Sequence, residues 1–414
     1  MSKQTAIEHR LLSRPVPAEF PSGTILPDYD GYSICKMASL VEATLGLSPK
    51  DNVLHEAIGG PRYDRVLLII LDGLGYRKAQ QLFVEQPDSI LRQLAATGAL
   101  VPITSVFPST TVAALASYST GLPPRAHGLL GYRLYLREAS AITNMIRLSL
   151  QGTSEAGTAL SAGLSAETLM SEPTVYEKLL HRDVSTHVLI PGHIAGSGLS
   201  KVLYRGSGAV TPCASLSDML VSARRILNQS ERRTFVMMYW PGLDSIAHLR
   251  GPADDAYRAE AAAVDGAIRR ELVGQVGKTL LLVSSDHGFV PMAPSDYLSM
   301  ADLGAWTSAA VLPPVGEPRA SYVYLRNGFP DGQRLPTEVA EGLLAIRSDR
   351  AIELGLYGTG DEHAEARSRL GDLQLLSTGK VGLRHPYPDA PLLAGMHGGL
   401  TEDEMLVPLI AAAL

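Results

Sequence analysis

The chain has 414 residues, enough for one large domain with an insertion or for two domains. It is 45% hydrophobic and 19% charged, an ordinary balance for a globular protein with a substantial core. Its net charge of −6, from 36 basic and 42 acidic residues with no long run of either sign, argues against an extended nucleic-acid partner.

The two cysteines, Cys35 and Cys213, form no CxxC or Cys/His cluster, which excludes a disulfide framework. The opening MSKQTAIEHRLLSRPVPAEF lacks the long apolar segment of a secretory signal. No stretch approaches about eighteen consecutive apolar residues, so the expectation is a soluble, cytoplasmic protein with no membrane span.

In chain order, residues 1–62 are weakly periodic, with one helix expected near Ser33–Leu45, and read as an N-terminal extension packed on the core. Short apolar runs follow at Val66–Leu71, Ala99–Val106, Val184–Ile190, Phe235–Trp240, Leu280–Val283 and Met405–Ala411. Runs of this length, bounded by Gly, Pro or polar residues, are strands buried on both faces, hence a mostly parallel sheet. Pro408 marks the last as an edge strand, because proline cannot donate to an interior ladder. A helix is expected over Asp254–Leu272, where Tyr257, Ala261, Val264, Ile268 and Leu272 define one apolar face. Alternating strands and helices give an α/β layered fold: residues 63–291 and 391–414 form the core, with a mostly parallel central sheet flanked by helices. Residues 292–390, richer in Pro and Gly, carry strand-like pieces at Ala320–Leu325 and Asp372–Leu376 and read as a smaller inserted cap.

Ligands of open parallel sheets bind beyond the carboxyl ends of the strands, so the residues just after each apolar run are informative. Asp72-Gly73 follows the first run, and Asp244-Ser-Ile-Ala-His248 follows the fourth. Asp286-His287-Gly288 follows the fifth, and Gly395-Met-His397-Gly-Gly precedes the last. Each alone is an ordinary turn or cap. Gathered at one sheet end, six oxygen and imidazole ligands suit a two-metal site, and zinc accepts both donor types. Another segment, Val106-Phe-Pro-Ser-Thr-Thr111-Val-Ala-Ala, runs from a strand through a turn into an Ala-rich helix starting at Thr111. A helix N-terminus offers free N–H groups and a positive dipole end to an anion, and a hydroxyl placed there can serve as a nucleophile.

The segments LLIILDGLG, FPSTTVAALASYSTGLPPRAHG, DSIAH, SSDHGF and MHGG, in this order, resemble the type I phosphodiesterase/nucleotide pyrophosphatase family of the alkaline phosphatase superfamily. The resemblance implies an alkaline-phosphatase-like fold and two zinc ions, with manganese or iron as alternatives. It implies that Asp72, Asp286 and His287 hold one ion, approached by Thr111, and that Asp244, His248 and His397 hold the other. The expected activity is cleavage of a phosphodiester or nucleotide pyrophosphate bond in a small substrate through Thr111, with Thr110 as the alternative nucleophile. A phosphomonoesterase or phosphonate hydrolase would share this core, and a non-catalytic scaffold is the rival of another class. The chain departs from the family at Ala114, where an asparagine contacting a phosphate oxygen is expected. Thr110, Arg133, His193 and Ser197 are weaker substrate-contact candidates. With no other cation fixed beside Thr111, a diester is expected to be preferred over a monoester, and an inward-turned Arg133 would reverse that.

Overall fold

The computed structural model describes residues 3–47, 52–153, 155–326 and 341–414. Part of the expected cap, 327–340, therefore lies outside the described residues, as do 1–2 and 48–51 of the N-terminal extension. The fold is mixed α/β, organised on a seven-stranded sheet. In spatial order its strands are Ala99–Thr104, Leu406–Ala413, Thr279–Ser284, Arg65–Leu71, Thr234–Trp240, Ser185–Pro191 and Ala209–Cys213. The pairs from Thr279–Ser284 to Ala209–Cys213 are all parallel, and Leu406–Ala413 runs antiparallel to both its neighbours.

The strand Arg65–Leu71 shows why these apolar runs sit in the middle. Val66, Leu68 and Ile70 enter one apolar cluster, while Leu67, Ile69 and Leu71 enter another on the opposite face. Period-2 alternation with both faces buried leaves no polar position, hence the unbroken apolar run. The helices Met37–Thr44 and Thr111–Thr120 cover the first face. The helices Tyr76–Glu85, Ile90–Thr97, Leu216–Gln229 and Asp255–Glu271 cover the second. The last of these is capped by Asp254 and buries Tyr257, Ala261, Val264 and Ile268, the face its spacing defines. Ile7, Leu11 and Phe20 of the N-terminal segment belong to the first cluster.

The edge position expected from Pro408 is wrong. Its strand is interior, between Ala99–Thr104 and Thr279–Ser284, and Ala99–Thr104 is the edge. Pro408 stands opposite Pro102, and pairing to the other neighbour covers only Ile410–Ala413. The missing N–H thus falls where that ladder has already ended, which removes the cost the rule presumes.

A second seven-stranded sheet, antiparallel throughout, has the order Leu343–Arg347, Leu373–Ser377, Ala320–Val323, Val315–Glu317, Arg133–Leu136, Ala141–Asn144 and Ser149–Leu150. It joins strands from 315–377 to three from 133–150, a stretch expected in the core. Cys35 and Cys213 are free and buried. No helix among the described residues is long and apolar enough to cross a membrane.

Candidate active site

Strand register places the first three acids side by side. Leu71 pairs with Trp240 and Ile70 with Ser284, so Asp72, Asp244 and Asp286 emerge from three adjacent strands at the same sheet end. Gly73 allows the turn after Asp72: its φ is +79°, and a Cβ there would stand 2.6 Å from the Phe289 ring. Asp244 and His248 lie one turn apart on the helix Gly242–Arg250, with His248 Nε2 3.3 Å from Asp244 Oδ1. A short antiparallel pairing of Val290 with Met396 carries His397 to the same place.

The six side chains form two trios that could each hold a metal ion: Asp72, Asp286 and His287, and Asp244, His248 and His397. Within each trio the ligand atoms lie within 4.8 Å of one another. His287 and His397 link the trios, their rings stacked with centroids 3.6 Å apart. The Nδ1 atoms of His248, His287 and His397 face the backbone carbonyls of Gly395, Gly288 and Ser109 at 2.9, 3.2 and 2.9 Å. An Nδ1–H donated to a carbonyl leaves the Nε2 lone pair facing the trios, which is the tautomer a metal requires.

Among the protein's own groups in these trios, the electrostatics are unfavourable. Burial, followed by the neighbouring charges of Asp244 and Asp286, pushes the Asp72 carboxyl well above the usual carboxylate range. Burial, then His287 and His248, pushes His397 well below the ordinary histidine value. Asp72 Oδ1, Asp244 Oδ1 and Asp286 Oδ2 are buried with no hydrogen-bond partner. Orphaned buried oxygens are costly, and three together, one or two per trio, are what bound cations would satisfy.

Thr111 is the first residue of the helix Thr111–Thr120, and its Oγ1 lies 3.3 Å from His287 Nε2. Thr110 is the N-cap by position, yet its hydroxyl makes no capping bond and instead donates to Glu317 Oε1 at 2.6 Å. Both threonines line a cavity of about 300 Å³ that also contains Asp244, His248, His397 and Arg133. Arg133 is thus turned inward, 2% exposed, contrary to the absence of a nearby cation on which the diester preference rests. Ala114 is fully buried in the apolar cluster and is not among the residues that line the cavity. His193 is exposed, and Ser197 caps the helix Gly198–Leu203, so neither reaches the cavity.

Sequence reasoning missed Glu317. It is 3% exposed and comes from the second sheet, and its Oε1 also accepts the Tyr132 N–H at 2.7 Å. Burial raises its carboxyl to about 7, against the lowering effect of these two bonds. Gly398, beside His397, gives it room: a Cβ there would lie 3.1 Å from that of Glu317. Nothing in Gly316-Glu317-Pro318 signals a site, because this short strand end is far in sequence from every ligand.

No curated protein matches the chain in sequence. Among solved structures, murine ectonucleotide pyrophosphatase/phosphodiesterase 5, an inactive form in complex with AMP, superposes with a TM-score of 0.65 at 13% identity, over 84% of this chain and 87% of that one. Phosphonoacetate hydrolase from Sinorhizobium meliloti 1021, in complex with phosphonoformate, gives 0.62 at 17% identity, over 86% and 92%. These likenesses establish the fold. The sequence profile of the type I phosphodiesterase/nucleotide pyrophosphatase family matches residues 66–399, and the chain belongs to that family.

Proposed function

We propose that the protein is a two-metal hydrolase that cleaves a phosphodiester or nucleotide pyrophosphate bond with Thr111 as nucleophile. The observation that carries this reading is the set of three orphaned carboxylate oxygens facing three histidine Nε2 atoms beside a helix-start hydroxyl. Asp72, Asp286 and His287 would hold one ion, with Thr111 beside it, and Asp244, His248 and His397 the other. Zinc is the ion this donor set fits best, and manganese or iron accept the same ligands. Two such ions would balance the carboxylates, acidify the threonine hydroxyl and offset charge on the phosphoryl group.

The protein's own groups then do the following. Thr111 Oγ1 attacks phosphorus, the bond to the leaving oxygen breaks, and the leaving group takes up a proton. The free N–H groups of the helix start face the non-bridging oxygens. Water next attacks the threonine-bound phosphoryl group and regenerates the hydroxyl. Thr110, whose hydroxyl is engaged by Glu317, positions the helix start. The second sheet, with the expected cap strands, would shape the side of the cavity away from the ions.

Arg133 favours a second reading, a phosphonate hydrolase or phosphomonoesterase on the same core, because a buried cation suits a more highly charged substrate. One experiment tests the common chemistry: elemental analysis of the purified protein, with turnover of an aryl phosphodiester by wild type and Thr111→Ala. Two ions per chain and turnover lost only in the variant are expected. A metal-free active protein, or full activity in Thr111→Ala, would sink the proposal, and two ions with no turnover of any phosphorus ester would indicate a scaffold.

A further inference from the structure

Arg133 is the first residue of a second-sheet strand, and its guanidinium is sandwiched between two aromatic rings. Its Cζ lies 4.9 Å from the ring centroid of Tyr132 and 4.5 Å from that of Tyr387. Both rings are fixed: the Tyr132 hydroxyl accepts from Asn144 Nδ2 at 2.8 Å, and the Tyr387 hydroxyl donates to Pro314 O at 3.0 Å. The side chain is therefore held rigidly in the wall of the Thr111 cavity. Its Nε is buried and has no hydrogen-bond partner. Nη2 is in ionic contact, at 2.5 Å, with Oδ2 of Asp389, whose side chain is 54% exposed.

A buried, oriented guanidinium with its Nε donor unused and Nη2 paired only to an exposed carboxylate is poised for an anion, and its planar fork suits a carboxylate or phosphate. Asp389 sits on an exposed turn lining the cavity and is itself free to turn to solvent, but the buried Arg133 charge must stay paired, so Asp389 leaves only as another anion takes its place. It sits where an incoming anion would sit. We infer that Arg133, with the Tyr132 and Tyr387 rings, forms a subsite for a second anionic group of the substrate, a carboxylate or a phosphate beyond the scissile bond, which displaces Asp389 on binding. This rests on the hydrolase reading and narrows it. Substrates with a charged far end, such as a pyrophosphate or a carboxylated phosphorus compound, are favoured over simple dialkyl esters.

The test uses metal-loaded full-length protein and short alkylphosphonates whose far end is a carboxylate, a second phosphonate, a neutral carboxamide or a methyl group, with Kd measured by titration calorimetry. At some chain length a charged end should bind about tenfold tighter than the carboxamide, the factor one charge-assisted hydrogen bond supplies. Whether carboxylate or phosphonate wins identifies the group. Arg133→Met should collapse the preference. Asp389→Asn, with folding checked by circular dichroism, should tighten the charged ligands severalfold relative to the carboxamide. Equal binding of charged and neutral ends in wild type, or an Asp389→Asn protein with wild-type affinities, would overturn the subsite while methyl-ended phosphonate still reports the metal side. Loss of that last binding together with absent Thr111-dependent turnover would overturn the hydrolase reading itself.

Discussion

Replacing Glu317 by alanine tests whether the second sheet holds the proposed nucleophile, Thr111, in place. Glu317 Oε1 accepts from both Thr110 Oγ1 at 2.6 Å and Tyr132 N at 2.7 Å, tying the start of the nucleophile helix to the strand that carries Arg133. Truncation leaves both donors unpaired in a buried place, at about 1–3 kcal/mol each, or about 2–6 kcal/mol together before water enters. Glu317→Gln retains a carbonyl Oε1 in the same position, so both bonds survive and the loss should stay below about 1 kcal/mol. The effect on chemistry follows from position: a displacement of about 1 Å at the neighbouring Thr111 costs about 100-fold. The expected outcome is a drop of that size in kcat for Glu317→Ala with KM little changed, and a much smaller drop for Glu317→Gln. Urea unfolding of metal-loaded protein at constant m, with steady-state kinetics on an aryl phosphodiester, reads both quantities. An alanine variant as stable and as active as wild type would refute the positioning role. A glutamine variant as impaired as alanine would show that the charge, and not the tether, is what matters.

On the two-metal reading, chelation should lower Tm, because the two trios carry three buried carboxylate oxygens without a hydrogen-bond partner; at a free metal concentration of about 100 Kd the bound form gains about 2.7 kcal/mol, and an unchanged calorimetric Tm on chelation would contradict the site. Arg319 and Glu404 form a fully buried two-point ion pair at 2.6 and 2.8 Å, so Arg319→Met should cost about 3–5 kcal/mol in chemical denaturation. The double variant Arg319→Met/Glu404→Leu should recover much of that loss, and failure to recover would show that the other bonds of Arg319, to the carbonyls of Val381 and Gly379, dominate.

The large sheet was legible because strands buried on both faces admit few polar residues, so Val66–Leu71 and Leu280–Val283 stand out unaided. The acids after them were legible for the same reason, since a polar group directly after such a run must lie at the strand's carboxyl end. Pro408 misled because the rule concerns a single ladder, and only the register shows that the strand's second ladder stops short of it. The second sheet was hardly visible. Its strands are short, and Arg133–Leu136 meets Val315–Glu317 across about half the chain, a pairing that local pattern does not encode. Glu317, Tyr387 and Asp389 were missed for that reason: each becomes part of the site only through contacts distant in sequence.

The two sheets divide the work along a physical boundary. The ligand candidates Asp72, Asp244 and Asp286 come from ends of adjacent strands whose register is locked by a core on both faces, so none can shift without disturbing the whole sheet. Arg133 and Glu317 come instead from buried positions of the antiparallel sheet, and only Asp389 lies on an exposed turn, where substitution costs little in packing. On the proposed reading, the ligands, Arg133 and Glu317 are all held by packed strands, and only the turn at Asp389 lies where the fold varies easily. Glu317 couples the two sheets, since its single Oε1 serves the nucleophile's neighbour and the arginine's neighbour at once. A change in the anion-binding wall that moved Tyr132 would pull on Thr110 through that oxygen. The turn around Asp389 makes no bond to Glu317, so on the subsite reading substitutions there should alter substrate preference more than rate.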